Sequence, residues 1–158
     1  MHTLLIGLFS AGKTSVGEML AAQLALPFYD VDRELEKEVG CSCGAYYKEV
    51  GEERFRQKES ELFSEMLYRP PGILAPGGGI VLGPSKDLLK KCPKRLYLYY
   101  SLQEVLTTFS QRRIPAFVTD LESEYFKREP CYQELATNSL VCDGLKIEDI
   151  VSQLIDIL

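Results

Sequence analysis

The sequence predicts an α/β fold of three layers, a five-stranded parallel sheet with helices on both faces. Apolar runs alternate with helical patterns from end to end, which is typical of parallel strands joined by helices. The chain has 158 residues, of which 46% are hydrophobic and 26% charged. These are ordinary values for one globular domain with a buried core. We therefore expect a single domain over residues 1–158.

Each element follows from a local pattern. The five apolar runs predicted as strands are Thr3–Ile6, Pro27–Asp30, Gly72–Ala75, Arg95–Tyr100 and Ser139–Cys142. The helices predicted between them are Ser15–Leu24, Arg33–Val39, Glu52–Tyr68 and Asp87–Lys91. A capping box of Ser101 and Glu104 starts a further helix after the fourth strand. Apolar residues at helical spacing predict a last helix that packs on the sheet up to Leu158.

The segment Gly7–Thr14 fits the P-loop pattern G-x-x-x-x-G-K-[ST] and lies between the first strand and the first helix. In that context the loop N–H groups and the helix N-terminus surround a polyphosphate. Lys13 would reach the β- and γ-phosphates, and the Thr14 hydroxyl would bind Mg²⁺. The predicted nucleotide-binding residues of this segment are Ser10, Ala11, Gly12, Lys13, Thr14 and Ser15.

Charge and composition exclude several other classes of protein. The net charge of −5 argues against a nucleic-acid-binding surface, which needs a basic face. No apolar stretch reaches the roughly 20 residues that span a bilayer. The first strand begins at once, so we expect no targeting peptide and a cytoplasmic protein, or else a mature form whose targeting segment has been removed. The five cysteines are scattered and the chain has a single histidine, His2, which favours reduced thiols over a zinc site.

Two carboxylates, Asp30 and Asp32, stand at the carboxyl end of the second strand, where ligands bind in open α/β sheets. One could serve the Mg²⁺ shell while the other accepts a proton from a substrate hydroxyl. Alternatively, Asp32 only caps the Arg33–Val39 helix. The spacing alone leaves these two interpretations equal.

Two further features have both a functional and a structural interpretation, and a third has only a structural one. Arg56 and Glu59 are i,i+3 neighbours on a helix, so they could form a solvated pair or hold the guanidinium for a ligand carboxylate. The glycines Gly77–Gly79 follow the third strand, where close backbone approach to a ligand is favoured over a plain turn. Arg128 alone is one more surface cation.

Two segments fit the alternating pattern poorly. The arginine-rich stretch Gln111–Thr119 contains Arg112 and Arg113 and has little periodicity, which suits a mobile lid over the phosphates at about residues 109–121. The region 32–61 adds a helical layer between the second and third strands, where a second substrate could bind.

Taken in order, these motifs resemble those of the shikimate kinase family. The matching blocks are Gly7–Thr14, Asp30-x-Asp32, Phe55-Arg56-x-x-Glu59, Gly77–Gly79 and Arg128-x-Pro-x-Tyr132-x-x-Leu135-Ala136. The blocks cover nearly the whole chain with the spacing of that family. Many kinases share the P-loop, whereas the later series is far more specific.

The resemblance implies a P-loop kinase fold and a reaction in aromatic amino-acid (chorismate) biosynthesis. The γ-phosphate of ATP would pass to the 3-hydroxyl of shikimate, with Mg²⁺ as cofactor and a monomeric enzyme. Asp32 is then the base at the reacting hydroxyl, and Asp30 supports Mg²⁺ through its water shell. Arg56, braced by Glu59, and Arg128 bind the shikimate carboxylate. Gly78 and Gly79 line the substrate ring.

The chain departs from the family pattern at two places. Ser10 replaces a usual P-loop glycine, and nucleotide binding is expected to survive. The lid usually carries Arg-Pro-Leu-Leu, but here the sequence is Arg112-Arg113-Ile114-Pro115. We expect Arg113 to be the catalytic lid cation, although Arg112 could take that role or pack on adenine. The alternatives are a gluconate or nucleoside-monophosphate kinase, or a nucleotide-binding module without turnover.

Overall fold

The computed structural model describes residues 1–112, 114–115 and 118–158. Within these ranges five strands form one parallel sheet in the order β2-β3-β1-β4-β5. The strands are β1 Thr3–Ile6, β2 Phe28–Asp30, β3 Ile73–Ala75, β4 Lys94–Tyr99 and β5 Asn138–Val141. The predicted all-parallel sheet is confirmed, with strand ends that differ by at most one residue from those expected.

Helices surround the sheet and connect its strands. Within the described residues they are α1 Lys13–Gln23, α2 Val31–Val39, α3 Cys43–Met66, α4 Lys86–Leu89, α5 Leu102–Thr108, α6 Leu121–Leu135 and α7 Ile147–Ile157. Short 3-10 turns occupy Ile80–Leu82 and Phe109–Gln111. None of these helices is long and apolar enough to cross a membrane.

The core lies on both faces of the central strand β1. Leu4, Leu5 and Ile6 alternate between the two faces of the sheet, and all three are buried. Helices α1 and α7 pack on each other, whereas α6 contacts β4, α5 and the Ile80–Leu82 turn. The carboxyl ends of β1, β2 and β3 therefore share one edge of a rigid sheet.

Helix α3 begins much earlier than the sequence predicted, and helix α6 begins before the helix-like segment Arg128–Ala136 that the sequence indicates. Helix α3 starts at Cys43 rather than near Glu52, and its backbone leaves helical geometry at Gly51, with φ 83° and ψ 170°. Helix α6 starts at Leu121, where the Asp120 side chain accepts hydrogen bonds from the N–H groups of Glu122 and Ser123. The acidic stretch after residue 119 is thus the first turn of a helix, stabilised by its dipole.

Candidate active site

A cleft of about 770 Å³ opens at the carboxyl ends of the first three strands. The predicted site residues that line it are Ser10, Ala11, Gly12, Lys13, Thr14, Ser15, Asp30, Asp32, Arg56, Gly78, Gly79, Arg112 and Arg128. The fold therefore brings the P-loop, the aspartate pair and the glycine triplet to one cleft, together with Arg56, Arg112 and Arg128.

The P-loop connects β1 to α1 and holds its lysine close. Gly12 is in the left-handed region with φ 84°, and Ser10 is there too with φ 58°. The Lys13 ammonium donates to the carbonyl oxygens of Gly7 at 2.9 Å and Leu8 at 2.7 Å. Burial lowers the pKa of Lys13 to about 8, against the opposing effect of the nearby aspartates. A phosphate would stabilise its charged form.

Thr14 and Asp30 bring a hydroxyl and a carboxylate together in the cleft. The Thr14 hydroxyl donates to Asp30 Oδ2 at 2.6 Å, and Asp30 Oδ1 accepts from the Arg33 N–H at 3.2 Å. Asp30, not Asp32, is therefore the N-cap of α2. A hydroxyl and a carboxylate fit Mg²⁺, which keeps several waters and takes few protein ligands besides phosphate oxygens.

Asp32 lies in the first turn of α2, where its side chain lines the cleft. Burial raises the pKa of this carboxyl to about 7, and the charges of Glu59 and Asp30 add to the effect. The capping interpretation of Asp32 is wrong, because Asp30 fills that position. Asp32 is instead a carboxyl at the wall of the cleft whose pKa is raised towards neutral pH.

Arg56 and Glu59 form a buried pair rather than a solvated one. They are 7% and 1% exposed, and Arg56 Nη1 lies 2.9 Å from Glu59 Oε2. The Phe55 ring centroid lies 5.2 Å from the guanidinium carbon. Among the described residues no hydrogen-bond partner satisfies Arg56 Nε or Glu59 Oε1. Part of the guanidinium thus remains available to a ligand.

The glycine triplet is packed so closely that side chains are excluded. A methyl group at residue 77 would lie 2.7 Å from Asp32 Oδ1, and one at residue 78 would lie 2.6 Å from the Phe9 nitrogen. A methyl group at residue 79 would overlap the Arg56 guanidinium. The Tyr132 hydroxyl donates to the Gly78 carbonyl and so ties the triplet to α6.

Arg128 lies across the cleft on α6 and is 3% exposed. Its Nε donates to Glu124 Oε2 at 2.8 Å, and its Nη2 lies 2.7 Å from the same oxygen. The Phe9 ring centroid lies 5.2 Å from its guanidinium carbon. Arg128 is therefore not an ordinary surface cation, because a carboxylate and an aromatic face fix its position.

Arg112, in the segment predicted as a lid, contacts the P-loop. Arg112 Nη1 donates to the Ser10 carbonyl at 2.8 Å, and its guanidinium carbon lies 4.5 Å from the centre of the Phe109 ring. Ile114 and Pro115 also line the cleft. The prediction for Arg113 lies outside the described residues.

The motifs do not mark three contributions to the site. Glu124 was not singled out, although its i,i+4 spacing to Arg128 is a signal that could have found it. Phe9 lies within the P-loop pattern, whose unspecified positions give no hint of an aromatic platform. The start of α3 falls in the region 32–61, where a second substrate was expected, but no motif indicates which of its residues line the cleft: Ser42, Cys43, Gly44, Ala45 and Lys48.

The strand order, the P-loop and the flanking carboxylates define a P-loop kinase of small molecules. The sequence model of the family described as shikimate kinase matches residues 9–158. A shikimate kinase of Thioalkalivibrio sulfidiphilus is 35% identical over 160 residues, covering 97% of this chain and 84% of its own. One of Enterococcus faecalis is 31% identical, covering 96% and 94%.

A solved structure supports the same assignment. The shikimate kinase of Acinetobacter baumannii in complex with shikimate superposes with a TM-score of 0.86 at 29% identity, covering 99% of this chain and 91% of its own. The chain belongs to the shikimate kinase family. It is an ATP-dependent phosphotransferase that acts on a hydroxyl of shikimate.

Proposed function

We propose that the cleft binds Mg²⁺-ATP and shikimate together and transfers the γ-phosphate to the 3-hydroxyl. The observation that carries this proposal is the pair of buried arginines in the cleft that also holds the P-loop. Arg56 and Arg128 each have a glutamate on one side and an aromatic ring nearby. Two guanidinium groups suit a carboxylate on a small ring, because they can fix it in bidentate geometry.

Substrate selection follows from the guanidinium donors that the two glutamates do not take. A neutral polyol would leave these donors without an anionic partner in the cleft, so its binding should be weaker. The triplet provides the floor of the same pocket, where Gly78 and Gly79 let the ring approach the backbone. The segment 32–61 and the lid at about 109–121 would enclose the two substrates.

The transfer step depends on charged groups held in fixed positions around the phosphates and the attacking hydroxyl. Lys13 would move from its loop carbonyls to the phosphates and offset their charge. Thr14 and Asp30 would hold Mg²⁺, Asp30 through the water shell, and the bound ion would offset charge on the β- and γ-phosphates. Asp32 would accept the proton of the attacking hydroxyl as its oxygen forms the new P–O bond and ADP leaves. Arg113 remains our prediction for the lid cation at the γ-phosphate.

The first test is ADP release from Mg²⁺-ATP with shikimate, gluconate or a nucleoside monophosphate. We expect strong stimulation by shikimate alone. Stimulation by gluconate or the monophosphate instead would overturn the proposed substrate. ATP binding without stimulation by any of the three would indicate a module without turnover.

A second test concerns the lid and the cellular state of the protein. Arg113→Ala should lower kcat more than it weakens nucleotide binding, while Arg112→Ala should mainly raise the ATP KM because Arg112 contacts the P-loop. The reverse pattern would assign the γ-phosphate contact to Arg112. We also propose a monomeric cytoplasmic enzyme, as the resemblance to the family implies.

A further inference from the structure

Glu124 is the least expected charge near the substrate pocket. Its carboxylate lies one helical turn before Arg128 on α6, and one oxygen, Oε2, contacts both Nε and Nη2 of that guanidinium. The two side chains are 23% and 4% exposed. A pair this enclosed is screened less by solvent than a surface ion pair, so its geometry matters more.

The contact leaves a defined part of Arg128 for a ligand. A guanidinium has five N–H donors in one plane, and Glu124 takes the edge formed by Nε and Nη2. The ring of Phe9 lies near the guanidinium. The Tyr132 hydroxyl also interacts with this guanidinium. Glu124 leaves the end-on edge, formed by one N–H of Nη1 and one of Nη2, which matches the two oxygens of a second carboxylate.

The same construction occurs at the other arginine. Glu59 contacts Arg56 from the next turn of α3, and Phe55 lies as close to it as Phe9 lies to Arg128. The two guanidinium groups that converge on the pocket are therefore each held by a glutamate of their own helix.

We propose that Glu124 is a positioning residue that orients Arg128 for the shikimate carboxylate. This inference rests on the proposed role of Arg128 in carboxylate binding. Without Glu124, the guanidinium would gain rotamer freedom, and ordering it would weaken substrate binding. Glu124 lies outside the P-loop and contacts Arg128, so the effect should fall on shikimate rather than on ATP.

The test is a double-mutant cycle on the shikimate KM. We expect Glu124→Ala to raise the shikimate KM about tenfold, the scale of one charge-assisted hydrogen bond, with the ATP KM changed less than about twofold. Arg128→Ala alone should raise the shikimate KM more. In the Arg128→Ala background, Glu124→Ala should add little, because the group it orients is gone.

Controls separate orientation from general damage to the helix. Glu122→Ala removes an exposed carboxylate from the same turn of α6 and should leave the shikimate KM unchanged. Glu124→Gln keeps an oxygen acceptor and should give a smaller rise than Glu124→Ala. Thermal unfolding of each variant shows whether it is folded at the assay temperature.

The outcomes are distinguishable. An unchanged or lowered shikimate KM in Glu124→Ala, with a raised KM in Arg128→Ala, would overturn the role of Glu124 alone. Equal effects of Glu124→Ala in both backgrounds would also overturn it and indicate a structural role. An unchanged shikimate KM in Arg128→Ala would instead overturn the proposed carboxylate site.

Discussion

Ser10 shows how one residue can depart from its family without losing the P-loop. It stands in the left-handed region with φ 58°, where a side chain costs roughly 1–2 kcal/mol relative to glycine. The loop nevertheless keeps the lysine contacts that a nucleotide-binding loop needs. The sequence shows that serine replaces the usual glycine, but not that residue 10 would adopt a left-handed backbone conformation.

We expect Ser10→Gly to raise the free energy of unfolding by about 0.5–1 kcal/mol, since glycine removes the strain but adds freedom to the unfolded chain. The ATP KM should change less than about twofold, because the loop already has its final shape. Denaturant unfolding measures the free energy of unfolding, and an ATP titration of the activity measures the ATP KM. Ala25→Gly is the matched control, with φ 53° at the end of α1, and should stabilise similarly without any kinetic effect. A large fall in the ATP KM of Ser10→Gly would show that Ser10 distorts the loop.

Burial is the main reason that the pKa of Asp32 is raised to about 7. This raised pKa predicts how the reaction rate depends on pH. A base must be ionised, so kcat/KM for shikimate should rise with pH and level off above about 7. Asp32→Asn should lower kcat by about a hundredfold or more while nucleotide binding persists, as expected for a lost general base. A pH profile of the wild type between pH 5 and 9 checks the first statement. Full turnover in the variant would exclude Asp32 as the base.

At the scale of secondary-structure elements, the sequence predicted the strands and helices that have a clear local pattern of apolar residues. All five strands were found because short apolar runs that alternate with helical patterns are typical of buried parallel strands. The start of α3 was missed because Gly51 and polar residues interrupt the helical pattern. Burial of Arg56, Glu59 and Arg128 could not be read from the residues alone, since tertiary packing decides which face of a charged helix meets solvent.

Gly51 determines how α3 is divided. Its φ of 83° and ψ of 170° fall in a region used almost only by glycine. The turns before Gly51 contribute Ser42 and Lys48 to the cleft wall, and those after it contribute Arg56 and Glu59. The bend thus lets one helical segment present two surfaces to one pocket.

We expect Gly51→Ala to lower the free energy of unfolding by about 1–3 kcal/mol through backbone strain. It should also raise the shikimate KM several-fold, because straightening the bend would displace the cleft wall. Gly144→Ala is the control, since Gly144 also has positive φ, at 69°, with no atom within 4 Å of an added Cβ. The control should lose stability but keep its KM. An unchanged shikimate KM in Gly51→Ala would show that the bend does not shape the pocket.

At the scale of the whole molecule, an acidic chain concentrates opposite charges in one cleft. The net charge of −5 gives no hint of the buried cations Lys13, Arg56 and Arg128. The resemblance predicted which residues meet, but their burial and contacts depend on the fold. Glu124 and the aromatic contacts could not be predicted from motifs, because they depend on how α6 packs beside the P-loop.

This cleft should make the stability of the protein depend on pH. Burial raises the pKa of Asp32 from 3.8 to about 7 and raises that of Glu59. The folded chain therefore binds protons that the unfolded chain has already released. The contribution of Asp32 is fully favourable below about pH 4 and is lost as the pH rises through about 7, and that of Glu59 changes in the same direction.

Asp32→Asn isolates this effect, since asparagine does not titrate. The unfolding free energy of the variant minus that of the wild type should increase from pH 4 to about 8 and then level off, as measured by denaturant unfolding. Glu134→Gln is the opposite control, because a hydrogen bond from Lys86 lowers the pKa of Glu134. Its difference should become slightly negative over the acidic part of that range, and stay small because the pair is exposed. A pH-independent difference for Asp32→Asn would mean that the Asp32 carboxyl has the same pKa in the folded and unfolded chains. The same result would contradict the raised pKa that suits Asp32 to act as a base near neutral pH.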